Sequence, residues 1–284
     1  MIQPESRPRI AVVIPARECP CQQLMALRAQ SSLVDRVVVV LQDGGPETVC
    51  GSHLAVPGRL TVMTESRGPH PGPGAARNDG ARSLAGSADI LLFCDADDRV
   101  SPNWASKLAV PLATGAADVI GGALRLVPSP GAPVIVAPRT DFGYRQALFG
   151  ANMGLTAPAW TRLGGFDPRL ACCEDTDLAW RAGEAGLRVA VANDALVDYQ
   201  LRKGLHEFHQ RWRWGRSSVG LLKKHGLPLD RLPGLLLLYH DKRDSGFAKS
   251  PWIAALGQWV GQCSATWVVR LAPPDGNSAG VDAV

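Results

Sequence analysis

Short apolar runs and amphipathic segments alternate along the first half of the chain. Arg9-Ile10-Ala11-Val12-Val13-Ile14-Pro15 is an apolar run closed by proline, and it predicts a buried strand. Cys21 to Ser32 follows with Leu24 and Leu27 at helical spacing. Asp35 to Leu41 predicts a second buried strand, stopped by Gln42-Asp43-Gly44-Gly45. Leu60 to Met63 and Asp89 to Cys94 read as third and fourth strands, with helical Ala75 to Ala85 between them. Runs that are apolar on both faces and alternate with helices predict a parallel sheet covered by helices on both sides. Further along, Val119-Ile120-Gly121-Gly122 and Leu187 to Val191 read as strands, and Asp175 to Gly186 and Leu205 to His225 as helices. The tail holds two apolar stretches, Leu235 to Tyr239 and Trp252 to Leu271.

The fold class expected for the whole chain is α/β, a doubly wound mixed sheet with helices on both faces and a helical C-terminal appendage. Residues 8–200 form one domain in halves of about 8–100 and 101–200; residues 201–272 form a helical segment, and 273–284 a disordered tail. Sheets of this kind bind ligands at the carboxyl ends of their strands. Those ends carry Ala16-Arg17-Glu18, then Asp43-Gly44-Gly45, the Gly/Pro-rich stretch 66–74, and Asp95-Ala96-Asp97-Asp98. Polar groups therefore converge on one edge, and the strand assignments alone predict a pocket there.

The length of 284 residues, 46% hydrophobic and 20% charged, suits one α/β domain with an appendage rather than two full domains. A dispersed net charge of +4 gives no case for a nucleic-acid partner. The charge is uneven, however, with eleven Lys/Arg against four acids between Tyr199 and Pro251. That stretch is either a surface for phosphates, anionic headgroups or an acidic acceptor, or a solvated helical face. The seven cysteines include Cys19-Pro20-Cys21 and Cys172-Cys173, which lack the paired clusters of a zinc site. They read as reduced thiols of a cytoplasmic protein, in keeping with a polar Met1 to Arg9 that has the form of no signal peptide.

Three segments carry candidate chemistry. Asp95-Ala96-Asp97 follows a buried strand, and two carboxylates one residue apart share a side if the backbone stays extended. Such hard oxygen ligands suit Mg2+ or Mn2+ completed by substrate phosphates. The alternative is an acidic turn in which Asp98 caps a helix. Glu174-Asp175-Thr176-Asp177 opens an amphipathic helix, so Asp175 is either its cap or a general base with an acidic neighbour. Gly74-Ala75-Ala76-Arg77-Asn78-Asp79-Gly80 places Arg77 at a helix start, either facing an anion or pairing with an Asp to brace the sheet edge.

Taken in order, Ile14-Pro15-Ala16-Arg17-Glu18, Val40-Leu41-Gln42-Asp43-Gly44, Gly74 to Ala81, Asp95 to Asp98, Gly164-Gly165-Phe166-Asp167 and Glu174 to Leu178 resemble the inverting family-2 glycosyltransferases of the GT-A fold. The resemblance covers roughly residues 8 to 225. It implies a donor half at about 8–100 and an acceptor half at about 101–200. It also implies that Pro15, Ala16, Glu18 and Asp43 line the nucleoside pocket and that Arg77 lies close to the nucleotide. Asp95 would face the ribose or metal side, Asp97 would ligate Mg2+ or Mn2+, and Asp175 would deprotonate the acceptor hydroxyl with Glu174 beside it. Gln210-Arg211-Trp212-Arg213-Trp214 is similar to the Q-x-x-R-W pattern of processive members. There Trp214 would shape the acceptor site and Arg213 would lie near the diphosphate, with Gln210 opening the motif; an exposed basic helix is the other reading.

Three departures stand out. Gln42 precedes Asp43 where many members have two acids, Cys19 follows Glu18, and Val197-Asp198-Tyr199 offers no His as a third metal ligand. The resemblance implies a non-processive transfer of sugar from a UDP- or GDP-sugar to a small-molecule or lipid-linked hydroxyl acceptor. Rival readings are a catalytically silent nucleotide-sugar-binding scaffold and a nucleotidyltransferase. The latter would want a Gly-rich run with Arg and Lys after the first strand, which Pro15-Ala16-Arg17-Glu18 does not supply. In Trp252 to Leu271, the residues Trp252, Leu256, Trp259, Val260, Cys263 and Trp267 fall near one helical face. That face is expected to pack on the catalytic domain or a second copy in a homodimer, with peripheral membrane contact as the alternative.

Overall fold

Alternation along the first strand, β1 (Ile10–Ala16), decides the layering. Ile10, Val12, Ile14 and Ala16 point into one apolar cluster, while Ala11 and Val13 point into another on the opposite face. The first cluster is closed by α1 (Cys21–Arg28) and α3 (Trp104–Ala113), and the second by α2 (Pro73–Ser83), α4 (Ala157–Leu163) and α5 (Glu174–Glu184). Burying one aliphatic side chain on either face stabilises the fold by about 1.5–3 kcal/mol. The valine run of β2 (Arg36–Leu41) is explained the same way, with Val39 and Leu41 on one side and Val38 and Val40 on the other.

The computed structural model describes residues 7–30, 32–42, 60–64, 72–127, 134–201, 204–234, 238, 241 and 251–271. Among these, one mixed sheet runs in the order β3 (Leu60–Thr64), β2, β1, β4 (Ile90–Cys94), β10 (Asn152–Thr156), β6 (Val119–Val127), β11 (Val189–Gln200), β5 (Arg99–Val100). β7 (Ile135–Val136) adds to β6, and β8 (Thr140–Asp141) pairs with β9 (Arg145–Gln146) separately. The pairs β3–β2, β2–β1 and β1–β4 are parallel, whereas β10 is antiparallel to both its neighbours. The doubly wound mixed sheet expected from the sequence is the sheet observed. Asp43, most of the Gly/Pro-rich stretch, most of 235–239 and the expected tail 273–284 lie outside the described residues.

Several expectations need correction. The strand read at Leu187 to Val191 is the first part of the longer β11, whose register against β6 shifts between Ala192 and Leu196. That irregularity is stapled by Asn152, whose Nδ2 donates to the carbonyls of Ala123 and Ala195 at 2.8 Å each. Asp98 caps no helix: α3 starts after Asn103, and the buried Asp98 carboxylate accepts the N–H of Gln200 at 3.0 Å. Nor does Asp175 cap α5. The N-cap is Cys173, in the left-handed region at φ 65°, and Asp175 lies inside the first turn.

The C-terminal appendage is α6 (Gly204–Lys224) against α7 (Pro251–Leu271). Two residues of the expected packing face, Leu256 and Trp259, are not covered within this chain. The buried positions of α7 include Ala254, Ala255, Gln258 and Gln262, while Ile253, Leu256 and Trp259 stay exposed. Glycine explains the choice, because a small-residue stripe lets two backbones approach closely. A Cβ at Gly261 would stand 2.1 Å from the Trp212 carbonyl oxygen, and one at Gly215 would stand 2.0 Å from that of Gln258. No helix among the described residues is long and apolar enough to cross a membrane. Gly261→Leu is expected to destabilise the chain by about 1–3 kcal/mol through overpacking. Urea unfolding checks this, and an unchanged midpoint would remove the glycine contact as the reason for the pairing.

Candidate active site

Arg77, in α2, is the hub of the site. Its side chain is 3% exposed, and its two terminal nitrogens reach Asp95 at 2.6 Å and Glu174 at 2.7 Å. It thereby ties the end of β4 to the start of α5 across the sheet edge. Burial works against the guanidinium charge, but Asp95, Glu174 and Asp175 together outweigh it and hold Arg77 protonated. Of its two sequence readings, the contacts are those of the brace. Arg77 acts on its surroundings through the carboxylates it grips, since almost none of it is open.

Asp175 stands next to this pair with a different environment. Its Oδ2 accepts the N–H of Gly150 at 2.7 Å and its Oδ1 accepts the N–H of Thr176 at 2.8 Å. Two fixed donors orient the carboxylate while leaving further lone pairs for a substrate proton. Burial pushes Asp175 upward in pKa, with the Gly150 N–H and Arg77 opposing it. Burial also pushes Glu174 up to about 7, reinforced by Asp175 and opposed by Arg77. Glu174 is buried against Arg77, whereas Asp175 beside it is half-buried.

Gly150 is the residue here that the sequence reading missed. A Cβ at that position would fall 2.9 Å from the Arg77 guanidinium carbon, so glycine alone permits the contact to Asp175. No motif marked it. Asn78, next to Arg77 in α2, is another such residue. Its side chain accepts the Phe166 N–H at 2.9 Å and donates to the Phe166 carbonyl at 2.8 Å, latching the Gly164-Gly165-Phe166-Asp167 turn to α2. Asp177 closes the acidic run in the first turn of α5. It is fully buried and takes Arg181 at 2.7 Å, Lys224 at 2.7 Å and His225 at 3.0 Å. Arg181 donates in turn to the carbonyls of Leu163 and Gly165 at 2.7 Å each. Part of the basic excess around α6 is therefore internal bracing of α5 and not a solvated face.

Asp95 and Asp97 separate. The backbone turns at Ala96-Asp97, so the extended geometry that would align their carboxylates is absent. Asp95 goes to Arg77, while exposed Asp97 lines a pocket of about 440 Å³ with Cys19, Cys21, Gln22, Ala96, Asp98 and Gln200. Pro15 and Ala16 are buried in β1, and Glu18 is exposed in the loop that follows. Among the described residues no group of three or more His, Cys, Asp or Glu is gathered to hold a metal ion. His206 and His209 are exposed on α6. An exposed aspartate on a pocket, with a second nearby in sequence, nevertheless fits a hard cation that takes its remaining ligands from water and phosphate.

The Gln210-Arg211-Trp212-Arg213-Trp214 segment borders the same region. Gln210 donates to the Tyr199 hydroxyl at 3.3 Å, and exposed Arg213 donates to the Ala171 carbonyl at 3.2 Å, just before Cys172-Cys173-Glu174. Trp214 is half-buried, and the buried Arg211 lies 4.4 Å above its ring. The segment thus rests on the loop that leads into the two acids.

Residues 22–152 match the family model described as glycosyl transferase family 2. The pre-mycofactocin glycosyltransferase of Mycobacterium tuberculosis is 25% identical over 92% of this chain. The match covers 56% of that relative, so this chain spans little more than half its length. Among solved structures, GalNAc-T7 with UDP, GalNAc and Mn2+ overlays at a TM-score of 0.59 and 15% identity, covering 88% of this chain and 56% of that one. Mannosyltransferase PcManGT from Pyrobaculum calidifontis, in complex with GDP-Man and Mn2+, gives 0.54 at 17% identity, covering 95% and 77%. The fold shared with these structures is the GT-A fold.

Proposed function

We propose that this chain, whose residues 22–152 match glycosyl transferase family 2 within a GT-A fold, moves a sugar from a nucleoside-diphosphate sugar to an acceptor hydroxyl with inversion. The observation that carries the reading is the Arg77 bridge. It sets Asp175 and Glu174 beside the Asp95-Ala96-Asp97 turn, so a proton acceptor stands next to a place suited to a charged leaving group. The relatives crystallised with UDP or GDP-Man and Mn2+ support a UDP- or GDP-sugar donor with Mg2+ or Mn2+.

Each residue then has a task. Asp175, oriented by Gly150 and Thr176, takes the proton from the acceptor oxygen as that oxygen attacks the anomeric carbon. Glu174 and Arg77 hold the neighbouring charge in place. Asp97, with Asp95 in support, would hold the divalent ion together with the donor phosphates, and that ion supplies charge neutralisation of the departing diphosphate. Pro15, Ala16, Glu18 and Asp43 are assigned to the nucleoside, and Gln210, Arg213 and Trp214 to the acceptor and diphosphate side. The acceptor is a small-molecule or lipid-linked hydroxyl, and the transfer is non-processive.

The test is release of nucleoside diphosphate from a panel of UDP- and GDP-sugars, with Mn2+ or with chelator. Metal-dependent release from at least one sugar is expected; none with any donor would leave a silent binding protein. Asp97→Ala is expected to weaken Mn2+-dependent binding of UDP or GDP by about 10–100-fold, the usual range for disturbing a metal site. Equal calorimetric affinities for the two proteins would remove Asp97 from the metal site.

A further inference from the structure

Cys19, in the loop after β1, and Cys21, the first residue of α1, have no role assigned above. The Sγ atoms of Cys19 and Cys21 are 2.8 Å apart, with only Pro20 between the two residues. A disulfide bond is about 2.05 Å long, so less than about 1 Å of approach separates this contact from a covalent one. The proline ring fixes φ at −81° between them, which builds the approach into the loop rather than leaving it to chance encounter. Both residues are half-buried, and both line the pocket shared with Asp97, Asp98 and Gln200.

The other described thiols near the site are placed differently. Cys94 is buried within the sheet, and burial drives its thiol up. Burial also pushes Cys172 up to about 12 and Cys173 well above the usual thiol range, so neighbouring positions in sequence do not make that pair reactive. The accessible, pre-approached pair is Cys19 with Cys21.

We propose that Cys19 and Cys21 are a modification site, a dithiol that closes to an intramolecular disulfide on the pocket wall when a small disulfide such as oxidised glutathione is present. The thiolate of one cysteine attacks a sulfur of the small disulfide, forming a mixed disulfide and expelling one small thiolate. The second cysteine's thiolate attacks the protein sulfur of that mixed disulfide and expels the other. The two cysteines are oxidised by two electrons, the small disulfide is reduced to two thiols, and the two cysteine protons end on those thiols. A ring spanning one residue at an open pocket belongs to the reducible class of disulfides, not the structural class, so added thiol reverses it. A consequence rests on the donor reading above: closure reshapes the wall beside Asp97 and weakens nucleotide binding.

The experiment equilibrates the full chain with equal concentrations of reduced and oxidised glutathione, quenches with acid and alkylates the remaining thiols. Residues 18–28 form one tryptic peptide carrying both cysteines. It is expected to run two hydrogens light and unalkylated in roughly half or more of the molecules, and to return to the alkylated form after added thiol. Cys19→Ser and Cys21→Ser are each expected to trap glutathione on the remaining sulfur. A peptide that stays alkylated at both sites, or ends as a glutathione adduct in the unsubstituted chain, overturns the proposal.

UDP and GDP with Mn2+, titrated by calorimetry, read the consequence. Oxidised chain is expected to bind about tenfold more weakly than reduced chain, and the double serine variant to be indifferent to oxidant. Equal affinity of oxidised and reduced chain overturns the coupling to the pocket. If reduced chain binds neither nucleotide, the donor reading fails, while the peptide map still decides the dithiol.

Discussion

Asp175→Asn is expected to lower turnover by about 10²–10⁴-fold while leaving the affinity for nucleoside diphosphate within about twofold. The substitution keeps size and keeps an oxygen that can accept the Gly150 or Thr176 N–H, so the loop at the head of α5 retains its geometry. What it removes is the proton acceptor. Because uniform binding is untouched, the loss belongs in kcat and kcat/KM together. Glu174→Gln gives the contrast. That side chain meets Arg77 in a buried pair, so its loss is expected to show first as instability and only secondarily in rate. Measurement is initial rate of nucleoside diphosphate release at saturating donor, beside calorimetric titration of UDP or GDP. If Asp175→Asn turned over within about threefold of the unsubstituted chain, general-base catalysis at this position would be finished as an idea.

The sheet was legible because its strands are apolar on both faces. The run Arg36 to Leu41 and the run Ile90 to Cys94 admit little other than strands buried between two helical layers. Their carboxyl ends put Asp95 and the loop after β1 on one edge. Arg77 was legible as a pair of alternatives, and burial separates them.

The failures share a physical cause, since each depends on contacts distant in sequence. Gly150 matters because it meets Arg77 and Asp175 from other elements, and a lone glycine between Phe149 and Ala151 carries no local signal. Asp177 announced half its role through its i,i+4 spacing to Arg181, but its pairs to Lys224 and His225 cross from α5 to the end of α6 and the turn after it. The face of α7 that meets α6 was hidden for a related reason. Hydrophobicity pointed to Leu256 and Trp259, whereas close approach to α6 selected the Ala/Gly/Gln stripe, and a partner's shape is invisible in one helix's periodicity.

Arg77→Met is expected to be the most destabilising single change in the site, at about 3–5 kcal/mol near pH 8, because it leaves buried carboxylates without their cation. The pH dependence of that loss distinguishes charge from packing. Glu174 already has a folded pKa of about 7, above its value in the unfolded chain, so its contribution to stability is full below about 4.3 and is lost as pH rises through about 7. Arg77 opposes that rise for both Glu174 and Asp175. Without it both carboxyls shift further upward, and the variant can recover stability on acidification by taking up protons. The gap between Arg77→Met and the unsubstituted chain is therefore expected to narrow as pH falls from 8 to 5. The acid limb of kcat/KM is expected to move to higher pH in whatever folded fraction remains active. Arg77→Lys restores the charge but not the two-pronged grip on Asp95 and Glu174, so it is expected to recover the pH profile better than the midpoint of unfolding. Denaturant unfolding from pH 5 to 8 checks all three chains. A gap of constant size across that range would mean that Arg77 holds the site by packing, and the electrostatic account of the Asp95–Arg77–Glu174 bridge would have to be given up.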